Sequence, residues 1–327
     1  MTGKICGTGS YAPSHIMDNN DIARLVETSD EWIRERTGIV KRHIIEDDTT
    51  VSMACKAAIR ALENAKVPAE EIDLILVSTI SSNVILPCAA CEVQKKIGAV
   101  NAVCFDLNAA CTGFVLAYNT AVAYMATGVY KTALIIGSES LSNLTNWKDR
   151  GTCILFGDGA GAAIIKASDG EAYIPITHSE GEKGEALMCK SRHDSNGLTK
   201  EINAGSMLDD EHLIQMNGQA VFKFAVKRVT EGICEVLEKN HISKDDISLY
   251  VMHQANERIV RAVAKRLGEP IEKFPMNLDE YGNTSSASIP ILLDEINRKG
   301  MLKQGQKIMF AGFGAGLTWA ASIVSWE

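Results

Sequence analysis

The chain has 327 residues, 46% of them hydrophobic and 23% charged, and its formal net charge is −8. This length predicts one large domain or two ordinary ones with a sizeable core, and the acidic balance argues against nucleic acid as the main partner, since binding it requires a basic surface. The first residues show no charged segment followed by an apolar run, so we expect no signal peptide, and nine cysteines without one indicate reduced thiols in the cytoplasm.

Short apolar runs alternate with helix-like segments along the chain. Such runs are typical of strands buried on both faces of a sheet that helices cover. The longest stretch without a charged residue, 107–130, contains asparagines and many alanines, which favours a buried helix over a membrane span. We therefore expect no membrane partner. The apolar runs are LILVST (74–79), ALIIGS (133–138), GAAIIKA (161–167), LYVMHQ (249–254), IMFAGF (308–313) and ASIVSW (321–326).

The second half of the chain repeats the pattern of the first. Residues 61–79 align with 236–254, and 131–140 align with 306–315 at the same offset. A third pair, QKKIG and AKRLG, keeps the same order at a slightly shorter offset. Internal similarity in a preserved order indicates duplication, so we predict an α/β fold of two similar layered halves. The predicted halves are 1–170 and 171–327.

Cys111 lies where a strand-like run, AVCFDLN (102–108), gives way to an apolar helix-like run that Gly128 ends. A helix N-terminus offers unpaired N–H groups and the positive end of the helix dipole. We therefore expect a lowered thiol pKa and a nucleophilic thiolate at this position. The small neighbours Ala110 and Gly113 would let a substrate approach, and the Cys111 N–H could donate to an oxyanion.

Six other cysteines are expected to be small buried hydrophobes: Cys6, Cys55, Cys104, Cys153, Cys189 and Cys234. Cys88 and Cys91 have Cys-x-x-Cys spacing, but no second pair or histidine cluster accompanies them. Because a zinc site needs four ligands, or three and a water, we expect neither a metal site nor a redox role for this pair.

Two polar residues of the second half are candidate partners for this thiol. His253 stands at the end of a strand-like run, and such ends carry sites in α/β folds. Asn283 lies in a turn-rich loop, NLDEYGNTSSASIP (277–290), before a helix. Each residue alone could be structural, the histidine as a core residue and the asparagine as a turn or cap. Together with Cys111 in the matching half, they predict a catalytic group.

These motifs in combination resemble the thiolase superfamily and, within it, β-ketoacyl-[acyl-carrier-protein] synthase III. The resemblance extends from GTGSYAP near residue 7 to the C-terminal SIVSWE. It implies a duplicated five-layer αβαβα fold, a homodimer, and a cytoplasmic acyltransferase that starts fatty acid synthesis without a cofactor. The motifs are DLNAACTGF (106–114), HQAN (253–256), YGNTSSASIP (281–290) and GFGAGLTWAAS (312–322).

The implied reaction joins an acyl-CoA primer to malonyl-acyl-carrier protein. Cys111 would attack the acyl thioester and hold the acyl group covalently. His253 and Asn283, as neutral donors, would stabilise the negative charge left on the malonyl thioester when CO₂ departs. The carbanion would then attack the acyl group, with the new oxyanion held by the N–H of Cys111 and a backbone N–H within 312–316, where glycines permit close approach.

The resemblance also implies binding residues. Trp32 would stack on the coenzyme A adenine, and Arg36 and Arg150 would pair with its phosphates. Arg258, Arg261 and Lys265 share one face of a predicted helix and, with Lys223, would dock an acidic carrier protein. On spacing alone, an ordinary solvated helix face remains the alternative.

The acyl pocket is expected to involve Leu86, Phe313, Gly314 and Ala315. Leu86 stands in a loop that, by the resemblance, reaches across a homodimer interface and limits the partner's acyl tunnel. Leucine is smaller than the bulky residue common there, which would allow a branched or slightly longer primer. Ala315 and Leu317 depart from the family pattern and would alter the pocket shape. The segment 190–212 is expected to be a surface excursion that affects substrate entry.

Several other enzymes use related residues. Thiolases need a second cysteine late in the chain, whereas the last one here is Cys234, and elongating synthases need a second histidine, whereas none follows His253. A papain-like peptidase shares the Cys–His–Asn order but not the local sequence or the duplication. A starter-unit or type III polyketide synthase with the same three residues, and a non-catalytic acyl-carrier-binding homologue, remain the alternatives.

Overall fold

The computed structural model of the protein describes residues 1–191 and 212–326. The strands are β1 (Thr2–Tyr11), β2 (His15–Asp18), β3 (Lys41–Ile44), β4 (Leu74–Ser78), β5 (Val103–Leu107), β6 (Thr132–Ser140), β7 (Asp158–Ser168), β8 (Ile176–Ser179), β9 (Leu187–Met188), β10 (Gln215–Met216), β11 (Ile247–Met252), β12 (Lys307–Gly314) and β13 (Thr318–Ser325). The α-helices are α1 (Asn19–Ala23), α2 (Asp30–Thr37), α3 (Thr50–Ala65), α4 (Ala89–Ile97), α5 (Gly113–Ala126), α6 (Arg150–Cys153), α7 (Gly218–Lys239), α8 (Glu257–Leu267), α9 (Leu278–Tyr281) and α10 (Ser288–Arg298).

Two main sheets repeat one topology. The first has the order β1-β7-β6-β4-β5, and the second has the order β8-β13-β12-β11. In both sheets, the second strand in this order is antiparallel to the first and to the third, and the third is parallel to the fourth. The aligned segments of the sequence fall on β4 with β11 and on β6 with β12, so the predicted duplication is confirmed. The division into 1–170 and 171–327 stays a prediction.

The layers follow from which helix faces are apolar. Helices α5 and α10 lie between the two sheets, and their side chains join residues of both sheets in one core. Phe114 and Tyr118 of α5, for example, contact Phe310 of β12 with ring centroids 6.1 and 5.8 Å apart. Helices α3 and α4 cover the outer face of the first sheet, and α7 and α8 cover that of the second. The predicted five-layer αβαβα fold is confirmed.

The charge-free stretch 107–130 forms a buried helix, as predicted, but the helix begins later than expected. Residues Ala110–Thr112 form a 3₁₀ turn, and α5 starts at Gly113. Among the described residues, no helix combines the length and the apolar character that crossing a bilayer requires.

Candidate active site

A strained turn at the end of β5 holds Cys111. Ala110 has φ of 44°, a left-handed conformation that alanine rarely adopts. The turn is packed so tightly that a β-carbon on Gly113 would collide with the Ser78 hydroxyl. Cys111 is 8% exposed. The backbone conformation and the glycine together hold Cys111 buried in the turn before α5 rather than inside that helix.

Gly314, at the end of β12, lies directly against Cys111. A β-carbon on Gly314 would lie 3.2 Å from Sγ of Cys111 and 3.1 Å from its backbone nitrogen. Such distances leave no room for a side chain, so glycine is required for β12 to approach the thiol. The backbone of the second half therefore reaches the nucleophile of the first, where two backbone N–H groups could share an oxyanion.

Burial determines the protonation of Cys111. Desolvation raises the pKa of the thiol to about 12, and the nearby Glu139 carboxylate also raises it. The Ser285 hydroxyl and the backbone N–H of Cys111 act in the opposite direction. The expected lowering of the thiol pKa by the helix N-terminus is therefore outweighed, because removing a thiolate from water costs more than these donors return. In the free protein, Cys111 is a thiol.

His253 follows β11 and is buried against β12 and the start of α10. Its backbone N–H donates to the Ala311 carbonyl of β12 at 2.9 Å, and its ring packs edge-on against Phe313 with centroids 5.0 Å apart. Burial lowers the pKa of His253 to about 3. The ring is therefore neutral at physiological pH and is a hydrogen-bond donor rather than a general base.

The Ser288 hydroxyl is the hydrogen-bond partner of one ring nitrogen of His253. Nδ1 of His253 lies 2.7 Å from Oγ of Ser288, and the backbone N–H of Gln254 donates to the same oxygen at 3.3 Å. With that lone pair occupied, the hydroxyl proton is free to point at Nδ1. We assign the ring proton to Nε2 from this network.

Backbone hydrogen bonds hold Asn283 against residues of the first half. Its N–H donates to the Leu155 carbonyl at 2.8 Å, and its carbonyl accepts from Gly157 at 3.1 Å. Its side-chain oxygen accepts from the Ser285 N–H at 2.9 Å. Because the carboxamide oxygen is occupied, the –NH₂ group is the part that remains to bind a substrate oxygen.

The segments that carry or adjoin the three candidate catalytic residues are packed together. The turn that carries Cys111 contacts β12 and also the 3₁₀ turn Ser285–Ala287 that follows Asn283. His253 is joined to the same region through Phe313 and Ser288. Neighbouring segments of the two halves therefore carry one thiol, one neutral imidazole and one amide –NH₂, a set that suits attack on a thioester followed by stabilisation of an enolate.

Trp32, Arg36 and Arg150 form a separate cluster. The guanidinium carbons of Arg36 and Arg150 lie 4.7 and 4.9 Å from the centroid of the Trp32 ring. Asn256, which caps α8, donates to the Arg36 carbonyl at 2.9 Å and so joins α2 to α8. A half-buried aromatic ring with two cations suits a planar base that carries phosphates.

The basic residues expected to dock a carrier protein lie on α7 and α8. Arg258, Arg261 and Lys265 are exposed along one face of α8, and Lys223 is exposed on α7. Arg258 packs over the Phe222 ring at 5.6 Å, which brings α8 and α7 together. Arg261 pairs with Glu257 on its own helix. The patch therefore adjoins the Trp32 cluster through Asn256.

The residues proposed for the acyl pocket have different environments. Leu86 is 88% exposed in the loop between β4 and α4, whereas Phe313 and Leu317 are buried and Ala315 is half-buried. Leu86 therefore does not line a pocket within its own chain. Residues 192–211 of the predicted surface excursion lie outside the described residues.

Cys88 and Cys91 lie at the start of α4 with their sulfur atoms 3.5 Å apart. Within 1–191 and 212–326, no group of three or more histidine, cysteine or acidic side chains is placed to hold a metal ion.

Sequence reasoning missed Glu139 and the serines around it. Glu139 lies one residue before the end of the apolar strand β6, in GSES (137–140). A carboxylate in a buried run was the feature of the sequence that could have identified it. Ser285 and Ser288 follow Asn283 in NTSSAS (283–288), where the run of hydroxyl residues suggests a polar site.

Comparison with known proteins connects this geometry to one family. A family model described as 3-oxoacyl-[acyl-carrier-protein] synthase III matches residues 105–181, and a second, for the C-terminal part of the same enzyme, matches residues 237–326. The first match includes Cys111, and the second includes His253 and Asn283.

Full-length relatives and solved structures agree with these matches. The β-ketoacyl-[acyl-carrier-protein] synthase III of Clostridium acetobutylicum is 48% identical over 99% of this chain and 98% of the relative, and that of Desulfitobacterium hafniense is 46% identical over 99% and 97%. The crystal structure of 3-oxoacyl-[acyl-carrier-protein] synthase III from Aquifex aeolicus has a TM-score of 0.91 at 40% identity, covering 99% of this chain and 100% of that one. A priming β-ketosynthase from a polyketide pathway has a TM-score of 0.91 at 34% identity, covering 99% and 96%.

Proposed function

The chain belongs to the 3-oxoacyl-[acyl-carrier-protein] synthase III family, and from that membership we propose that it condenses an acyl-CoA primer with malonyl-acyl-carrier protein. The products are 3-oxoacyl-acyl-carrier protein, CO₂ and CoA, and the reaction starts fatty acid synthesis in the cytoplasm. The observation that supports the proposal is that the turn carrying Cys111 packs against β12, where Phe313 contacts the buried neutral imidazole of His253, and against the turn that follows Asn283.

The first half-reaction acylates Cys111. The sulfur attacks the thioester carbon, and CoA leaves as the acyl group is transferred. The tetrahedral oxyanion is held by the N–H of Cys111 and by a backbone N–H at Gly314, which lies against the thiol. Trp32, Arg36 and Arg150 hold the adenine and phosphates of CoA and so place the thioester at the cavity.

The second half-reaction decarboxylates the malonyl thioester. As CO₂ leaves, charge moves onto the thioester oxygen, where the Nε2–H of His253 and the –NH₂ of Asn283 donate. A protonated histidine is not needed, since the pKa of His253 is lowered to about 3 by burial. The carbanion attacks the acyl group on Cys111 and releases the thiolate. Every group required is a side chain, a backbone N–H or a substrate, so we expect no cofactor.

A homodimer is proposed from the edge of the first sheet. β5 is the edge strand, so one of its sides carries unpaired backbone groups. Val103 of β5 is 49% exposed, and Ile85 and Leu86 in the preceding loop are 66% and 88% exposed. Pairing β5 with its copy would cover these apolar side chains and bring Leu86 to the partner's acyl site. Sedimentation of the wild type and of Val103→Lys measures this association.

Mass spectrometry of the acylated enzyme tests the proposed function. The protein is incubated with straight and branched acyl-CoA primers, and the peptide containing Cys111 should gain the acyl mass. The acyl-enzyme is then given malonyl-acyl-carrier protein or malonyl-CoA, and CO₂ release is measured. Cys111→Ala and Cys234→Ala are the matched variants, since Cys234 is an exposed thiol on α7.

Two outcomes would contradict the proposal. Turnover with malonyl-CoA alone would indicate the polyketide alternative, which the relatives at 46–48% identity do not favour. No acyl mass on Cys111 with any primer would indicate a non-catalytic acyl-carrier-binding protein.

A further inference from the structure

Acylation of Cys111 requires an acceptor for the thiol proton. Burial raises the pKa of this thiol to about 12, so almost no thiolate is present at neutral pH. His253 is a poor acceptor, because burial lowers its pKa to about 3 and its Nδ1 is bound to Ser288. The proton must therefore go to another group close to the sulfur.

Glu139 is a buried carboxylate that the mechanism above leaves unused. It ends β6 with no exposed surface. Its Oε2 accepts from the Ser81 hydroxyl at 2.6 Å and the Ile80 N–H at 3.1 Å, and its Oε1 accepts from the Ser286 hydroxyl at 2.9 Å. Burial raises the pKa of Glu139. It is thus a stronger base than an exposed carboxylate.

Ser285 begins a 3₁₀ turn that packs against β6, which carries Glu139, and against the turn that carries Cys111. Its hydroxyl lowers the pKa of both Cys111 and Glu139 and so favours their charged forms. Within 1–191 and 212–326, its oxygen is buried without a well-formed hydrogen bond. Ser285 also has φ of 49°, a strained conformation for serine that the packing maintains. An otherwise unpaired hydroxyl is therefore held beside both groups.

Backbone contacts hold the segments that carry Glu139, Ser285 and Cys111 in place. A β-carbon on Gly137 of β6 would collide with the carbonyl oxygen of Ser286, so β6 and the turn Ser285–Ala287 are in direct contact. The same turn contacts the one that carries Cys111. Glu139, Ser285 and Cys111 consequently lie on three segments packed against each other.

We propose that Glu139 accepts the Cys111 proton through the Ser285 hydroxyl during acylation and returns it after condensation. This inference rests on the proposed function. As the sulfur bonds to the acyl carbon, its proton passes to Oγ of Ser285, and the Ser285 proton passes to Glu139. CoA leaves as a thiolate and takes a proton from solvent. When condensation expels the Cys111 thiolate, the proton returns from Glu139 by the same route.

This transfer also balances charge at the site. Acylation leaves Glu139 neutral, so the anionic malonyl group enters a cavity from which one negative charge has been removed. Hydroxyls and backbone N–H groups act on the Glu139 carboxylate, and Cys111 is a titratable group on which that carboxylate acts. Glu139 therefore stores the proton through the cycle.

The pH dependence of acylation tests the proposal. Acyl-enzyme formation at Cys111 is followed by rapid quench and mass spectrometry, from about pH 7 to about pH 9, in the wild type, Glu139→Gln and Ser285→Ala. General-base assistance typically contributes about 10²- to 10⁴-fold, so we expect both variants to acylate at least about 100-fold more slowly at pH 7. Their rates should rise by about tenfold per pH unit as thiolate forms, whereas the wild-type rate should stay nearly constant.

Three comparisons separate this role from a structural one. Thr284→Val removes another buried hydroxyl without a hydrogen bond from the same loop and should keep the wild-type pH profile. Ser285→Ala guards against misfolding of Glu139→Gln, because it keeps the hydrogen bonds that the Glu139 carboxylate accepts from Ser81, Ile80 and Ser286. The double variant should be no slower than either single one. Wild-type acylation together with wild-type pH profiles in both variants would overturn the relay, whereas no acylation of the wild type would instead overturn the proposed function.

Discussion

Gly314 and Cys111 are in direct backbone contact, although one ends a strand of the second half and the other precedes a helix of the first. A β-carbon on Gly314 would lie 2.8 Å from Cβ of Cys111, closer than carbon atoms pack. Gly314→Ala should therefore displace the backbone that supplies the oxyanion donor and slow acylation by about 100-fold or more. Gly181→Ala is the matched control, since nothing lies within 4 Å of its added carbon. Equal acylation rates for the two variants would contradict this assignment.

Ser288 should affect decarboxylation and leave acylation unchanged. Ser288→Ala removes the hydroxyl that holds the proton of His253 on Nε2. We expect CO₂ release to fall by about 10- to 100-fold, less than the loss typical of removing a direct donor. Ser10→Ala, which removes a buried hydroxyl that donates to Asp294, is the control. A parallel loss of acylation would assign Ser288 to folding instead.

His253 should make the folded state less stable as pH falls. The folded pKa is lowered to about 3, whereas an unfolded histidine titrates near 6.5, so between these values the unfolded chain binds a proton that the folded chain does not. The stability is fully present above about pH 6.5 and decreases by about 1.4 kcal/mol per pH unit below it. Urea unfolding between about pH 5 and 7 should show a smaller slope for His253→Gln. Equal slopes would mean that the ring is not buried in neutral form.

Removing the Trp32 ring should weaken binding of CoA thioesters specifically. Base–aromatic stacking contributes about 1–3 kcal/mol, so Trp32→Ala should raise KM for acyl-CoA by about 10- to 100-fold. Acyl-pantetheine lacks the adenine nucleotide and should show no such change. Arg34→Ala is the control, because Arg34 pairs with Asp30 rather than with the Trp32 ring. A similar rise with both substrates would indicate damage to α2.

Arg258 should contribute to carrier-protein docking. Charge reversal in Arg258→Glu should raise KM for malonyl-acyl-carrier protein by about tenfold at low salt, because rim charges mainly steer association and are screened by salt. Acylation by acyl-CoA should not change. Arg266→Glu alters an exposed charge elsewhere on α8 and is the matched control. An equal effect of both variants would indicate a general loss of positive charge rather than a docking face.

The sequence predicted the duplication, the layers and the three candidate catalytic residues, because each depends on local pattern. Buried strands read as apolar runs, and the repeat in their order survives in β4 with β11 and in β6 with β12. His253 was expected at a strand end because parallel strands present sites there. The lowered thiol pKa that the sequence predicted for Cys111 was wrong. A helix N-terminus, which lowers a thiol pKa, can be recognised in the sequence, whereas the burial that raises it cannot.

What the sequence by itself determined is therefore the identity and order of the reacting groups and the strands and helices that carry them. Only the tertiary structure decided their protonation, because burial is a property of everything packed around a group. It made Cys111 a thiol and His253 neutral. It also packed the turn that begins at Ser285 against both β6, which carries Glu139, and the turn that carries Cys111. Contacts between distant segments cannot be read from the local order of residues.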